Sequence, residues 1–249
     1  MNQNQEILLE RREGVAILTL NAPQRRNSLT ESMASELLDA CAEIDADSAV
    51  GAVVLRGAGG YFCSGGDRAT LASVGQAPAK DEAFRILGQI YDSFRRVGAL
   101  QPPTIAAIEG GALGAGLNLA MATDLRIVAD DARLMSGFMP IGLHPGGGHA
   151  TLVGRAGGRE VTNAMVLFGE SLSGADCVEQ GLAWEALPTD HVFARAFELA
   201  ARAAADPALS RRVARSARLQ AGPPAIGWDA ALDLERAPQM WSMQRKSDS

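Results

Sequence analysis

Four short aliphatic runs, each ending near a turn of small residues, constrain this chain more than any other feature. They lie at 15–20, 52–56, 104–108 and 125–129, centred on Ile17, Val53, Ile105 and Ile127, and share no repeated sequence. A continuously apolar run such as AVVLR at 52–56 suits a parallel strand covered on both faces. Glu13-Gly14 separates run 15–20 from another at 7–12, the pattern of a hairpin. Thr30 offers an N-cap, and Met33, Leu37, Leu38, Cys41 and Ile44 follow at helical spacing. Phe84, Leu87, Tyr91 and Phe94 mark a second helix that stops before Gln101-Pro102-Pro103. Residues 69–80 carry no period and read as a mobile connection.

Beyond residue 161 the pattern turns mostly helical, with a short capped helix at 173–181 and a strand at 184–187. Helices are expected at 191–204, 207–220 and 226–243. The expected architecture is α/β: a layered core over 1–190 and a helical C-terminal extension over 191–249, forming one continuous domain.

Charge and cysteine content narrow the function classes. The net charge is −6, against a broad nucleic-acid-binding surface. Only Lys80 and Lys246 among 23 basic residues are lysines, so an anion clamp here is built from arginine. Cys41, Cys63 and Cys177 suggest neither a disulfide framework nor a metal site. No apolar run reaches the roughly 18 residues that span a bilayer, and residues 1–10 lack a signal-peptide core. A cytoplasmic protein with no membrane or nucleic-acid partner is the expectation.

Two turns are unusually rich in small residues: Phe62-Cys-Ser-Gly-Gly-Asp67 and Gly110-Gly-Ala-Leu-Gly-Ala-Gly-Leu-Asn118. Glycine permits close backbone approach and positive φ. The start of a helix leaves N–H groups without intrahelical acceptors. Side by side, two such turns aim two N–H donors at one carbonyl oxygen, an oxyanion hole. Each turn alone is also what packing a strand against a helix requires. Neither matches a dinucleotide or phosphate-loop fingerprint.

The segments Pro23-Gln-Arg-Arg-Asn-Ser-Leu29, Tyr61-Phe-Cys-Ser-Gly-Gly-Asp67 and Ile108-Glu-Gly-Gly-Ala-Leu-Gly-Ala-Gly-Leu-Asn-Leu119 resemble the enoyl-CoA hydratase/isomerase (crotonase) family. Asp124-Leu-Arg-Ile127, Gly142-Leu-His-Pro-Gly-Gly-Gly148 and Ala175-Asp-Cys-Val-Glu-Gln-Gly-Leu182 continue the likeness in order. The resemblance implies a crotonase-like superhelix of ββα units, a homotrimer or dimer of trimers, and a coenzyme A thioester as substrate without a resident cofactor or metal. It places the oxyanion-hole donors at the N–H groups of Gly66 and Ala115. Arg25, Arg26, Ser28, Ser64, Gly66, Asp67 and Arg68 fall where relatives hold coenzyme A, with Asp67 also tying its loop down. Lys246 is a further phosphate candidate.

The chain departs from the family where its hydratases carry two glutamates, which here are Asn118 and Phe138. An amide cannot take a proton from water, and a phenyl ring only fills space. Efficient hydration is therefore not expected, and the isomerase reading loses weight as well. His144, in the glycine loop, is the candidate replacement for proton transfer, against the alternative of a loop histidine bonded to backbone. His149 is read as the start of the next helix. Leu117 and Phe138 are placed nearest the acyl chain, and Cys63, without a histidine partner, is not read as a nucleophile. The arginines between 195 and 218 read as a solvated helix face. A non-catalytic acyl-CoA binder, a decarboxylase and a thioester hydrolase remain alternatives on the same scaffold.

Overall fold

The computed structural model describes residues 5–77 and 79–222. β1 (Ile7–Arg12) and β2 (Val15–Leu20) form the expected antiparallel hairpin. β3 (Ala52–Gly57), β4 (Thr104–Ile108), β6 (Leu125–Ala129) and β9 (Glu185–Leu187) then extend the sheet in parallel, in the order β1-β2-β3-β4-β6-β9. β2 and β4 are buried at every position, as strands covered on both faces should be. A second sheet joins β5 (Gly111–Leu113), β7 (Arg133–Met135) and β8 (Ser171–Ser173).

α1 (Glu31–Ala46) starts where its cap predicts: Met33 N donates to Thr30 Oγ1 at 3.0 Å, and Met33, Leu37, Cys41 and Ile44 face the core. Residues 69–80 depart from the expected connection. Most of them belong to α2 (Arg68–Gln76), capped by the Asp67 carboxylate, which accepts from Thr70 N at 3.0 Å. This helix buries only Val74, so it leaves no apolar period to read. α3 (Asp81–Gly98) packs on α1, and α4 (Ala115–Met121) is buried almost throughout.

α5 (His149–Leu167) bends at Gly158, whose φ is +74°. α6 (Gly174–Glu179) opens with a reciprocal capping box between Ser173 and Asp176. α7 (Thr189–Ala204) lays Val192, Ala196, Ala200 and Ala204 onto β3, β4 and β6.

In α8 (Pro207–Ala221), Arg211 and Arg218 correct the reading of the arginines as a solvated face, whereas Arg212 and Arg215 are exposed as expected. Arg211 donates to the carbonyls of Ile44, Asp45, Asp47 and Val50. Arg218 binds the Asp124 carboxylate and the carbonyls of Leu100 and Pro102. The end of α1 leaves carbonyls without helical partners, and a planar guanidinium fork satisfies several at once. The expected helix at 226–243 and Lys246 lie outside the described residues. Among the described residues no helix is long and apolar enough to cross a membrane.

Candidate active site

Both glycine-rich turns leave the carboxyl ends of parallel strands, where open α/β sheets place their ligands. The first follows β3 and is held from below by segment 22–29. Asn27, buried with φ +54°, donates through Nδ2 to Ala58 O (3.0 Å) and Tyr61 O (2.6 Å) and accepts from Ala22 N (2.8 Å). Ser64 N donates to Arg26 O, and Leu29 N to Gly65 O. The second turn follows β4, and a parallel bridge between Cys63 and Ala112 joins the two. Their approach is close: a Cβ added to Gly65, at φ +97°, would meet Leu113 O at 2.8 Å and Ala115 N at 3.6 Å.

Gly65 O and Asp67 N both bond to Leu29, so the intervening Gly66 N–H faces away from that segment. Ala115 N–H opens α4, where no intrahelical acceptor exists. Among the described residues neither N–H has a hydrogen-bond acceptor. A Cβ added to Gly66 would meet Leu71 Cδ1, from α2, at 3.3 Å.

Beside the second turn runs a buried polar chain. Asn118 Nδ2 donates to Gly146 O at 3.0 Å, which leaves Asn118 Oδ1 as an acceptor. His149 Nδ1 lies 2.6 Å from that oxygen and therefore carries the ring proton. His149 Nε2 is then the acceptor, 2.7 Å from Ser136 Oγ, whose hydroxyl donates to it. All three residues are buried, and burial pushes the imidazole pKa down to about 4, so the ring is neutral at pH 7. Phe138 stacks edge-on against His149, with ring centroids 5.0 Å apart.

The structure thus brings Asn118 and Phe138 to one imidazole, that of His149. His144 is exposed, with Nδ1 2.7 Å from the carbonyl of Pro145. The start of a helix at residue 149 was readable, but contacts across 31 and 13 residues carry no sequence period, so the junction of His149 with Asn118 and Ser136 was not.

The residues matched to coenzyme A divide into two groups. Arg25 pairs with Glu6 at 2.8 Å, Ser28 is buried and donates to Asp67 Oδ1 at 3.3 Å, and Ser64 Oγ donates to Arg25 O at 3.3 Å. Burial raises the Asp67 carboxyl pKa, but hydrogen bonds from Thr70 and Ser28 outweigh it and hold the group below its ordinary value. Arg26 and Arg68 are exposed, with the Arg26 guanidinium 5.5 Å from the Tyr61 ring centre. Cys63 is buried, its thiol pushed up to about 12 by desolvation and donating to Asn27 O at 3.1 Å. Such a thiol is not a nucleophile. Leu117 is fully buried beneath the turn.

A mostly parallel sheet carrying two interlocked glycine turns is the crotonase fold. The family model described as enoyl-CoA hydratase/isomerase matches residues 10–224, and the chain belongs to that family. A probable enoyl-CoA hydratase of Mycobacterium tuberculosis is 38% identical over 98% of this chain and 94% of its own length. The 1,2-epoxyphenylacetyl-CoA isomerase of Escherichia coli is 31% identical over 92% of this chain and 87% of its own. Among solved structures, a putative enoyl-CoA hydratase from Streptomyces coelicolor superposes with a TM-score of 0.86 at 29% identity, covering 98% of this chain and 88% of that one.

Proposed function

We propose that this protein binds an acyl-CoA thioester and stabilises its enolate through the N–H groups of Gly66 and Ala115, in a reaction other than efficient hydration. The observation that carries this reading is the contact between the two turns, with Ala115 N 3.6 Å from where a Gly65 Cβ would stand. Two fixed donors at one oxygen stabilise the charge that grows there as the enolate forms. Asn118 and Phe138 argue against hydration, because neither activates a water and acid–base help is worth roughly 10²–10⁴ in rate. Exposed Arg26 and Arg68 offer planar forks to the phosphates of coenzyme A.

The test pairs calorimetry with an assay. Butyryl-CoA should bind saturably, while crotonyl-CoA hydration should stay far below that of a two-glutamate relative; rapid hydration, or no binding, overturns the reading. Ala115→Pro probes the donor itself, since proline is well tolerated at the first position of a helix yet lacks the N–H. A loss of about 10²–10³ in turnover is expected with folding preserved. A second reading, an acyl-CoA binder without chemistry, is favoured by the absence of carboxylates at 118 and 138, and it predicts binding with no product from any acyl-CoA.

A further inference from the structure

We propose that His149 is the acid–base residue of this site, exchanging a substrate proton through the Ser136 hydroxyl, with Asn118 as the residue that positions the ring. The proposal rests on the reading that residues 66 and 115 hold the thioester oxygen, and it supplies the proton chemistry which that reading leaves open.

Placement is the first argument. The imidazole stands between position 118, 2.6 Å away, and position 138, stacked on it at 5.0 Å. Ser136 continues β7 by one residue past the Leu113–Met135 pairing, which sets it opposite Gly114, the residue before the Ala115 donor. A Cβ on Gly114 would lie 3.4 Å from Ser136 O and 3.6 Å from Phe138 Cζ, so all these groups crowd the entry to α4.

Direction is the second argument. The chain of bonds runs one way: Ser136 Oγ–H to His149 Nε2, His149 Nδ1–H to Asn118 Oδ1, and Asn118 Nδ2–H to Gly146 O. Because the Asn118 amide is pinned by Gly146, the imidazole is held in one tautomer, and its basic nitrogen faces the hydroxyl. A base oriented by a third group and bonded to a hydroxyl is the arrangement that proton transfer needs. The groups facing the ring, Asn118 from α4 and Ser136 and Phe138 beyond β7, are all uncharged. The ring's lowered pKa, about 4, gives a neutral base of carboxylate-like strength.

The step balances with the atoms present. A Cα proton of the acyl chain passes to Ser136 Oγ while the Ser136 proton passes to His149 Nε2. The electron pair of the broken C–H bond moves into the thioester, placing charge on the oxygen between Gly66 and Ala115. Reversal returns the proton to Cα, or to Cγ of an unsaturated chain.

The experiment is Cα hydrogen–deuterium exchange of butyryl-CoA in D2O by the full chain, with binding measured in parallel. Wild type should exchange. His149→Gln and Ser136→Ala should each bind butyryl-CoA within about twofold of wild type yet lose about 10²-fold or more of the exchange rate. Asn118→Asp places a negative charge beside Nδ1, favours the protonated ring, and should move the acid limb of the exchange profile to higher pH. An acid limb that stays in place would take His149 out of the proton path and overturn the proposal. Exchange at the wild-type rate in either His149→Gln or Ser136→Ala overturns the relay, as does a wild type that binds without exchanging. Should His149→Gln not fold, Ser136→Ala, which deletes one oxygen, decides alone. A wild type that does not bind butyryl-CoA overturns the functional reading instead.

Discussion

A Cβ added to Gly116 would stand 2.3 Å from the carbonyl oxygen of Cys63, so the helix after the second turn rests directly on the backbone of the first. That contact fixes the spacing of the two turns, and it tolerates no side chain. Gly116→Ala forces them apart. The expected outcome is a loss of about 1–3 kcal/mol in urea denaturation, the usual cost of overpacking, together with weakened butyryl-CoA binding. Unchanged stability and binding would show that the turns are free to slide.

Asn27 anchors the same turn from the other side. Replacing it with alanine strands Ala22 N and removes the donor to Ala58 O and Tyr61 O, at a cost of about 2–4 kcal/mol. Its φ of +54° adds a conformational penalty that glycine escapes. Asn27→Gly should therefore be the more stable of the two variants. Equal melting temperatures for both would remove backbone strain from the account.

What the sequence revealed was local. Thr30, Ser173 and the AVVLR run each act within one turn or strand, so caps and buried strands were readable at their positions. The glycine turns were readable because small residues in a row have few other uses. α2 was not, since nine residues with one buried valine make no stripe. Arg211 and Arg218 were not legible for a different reason: the carbonyls they bind lie more than a hundred residues away, and composition places arginine in solvent by default. The site divided in the same way. Position 118 was found by counting along a motif, whereas its junction with His149 and Ser136 exists only once three separate segments converge.

Burial of His149 gives stability a definite pH dependence. The folded ring has a pKa near 4, against about 6.5 for an unfolded histidine. Above pH 6.5 both states hold the ring neutral. As pH falls from 6.5 toward 4 the unfolded chain takes up a proton that the native state refuses, so stability declines. The loss is at most about 3 kcal/mol. Urea midpoints between pH 4 and pH 7 should fall less steeply in His149→Gln. Parallel curves would mean that the ring titrates alike in the folded and unfolded chains.

Arg211 supports the most specific prediction about folding. Its Nε donates to Val50 O at 2.9 Å, Nη1 to Asp45 O at 3.1 Å, and Nη2 to Ile44 O at 3.0 Å and Asp47 O at 2.5 Å. Ile44, Asp45 and Asp47 lie at the carboxyl end of α1, where the helix dipole concentrates negative potential. Lysine keeps the charge but presents a single nitrogen, so it cannot reach four carbonyls spread around a planar fork. Arg211→Lys should cost about 1–3 kcal/mol even though net charge is preserved. Arg215→Lys, on the exposed face of the same helix, should stay within about 0.5 kcal/mol of wild type. If the two variants lose the same small amount, α8 is held by charge alone and the fork geometry is irrelevant.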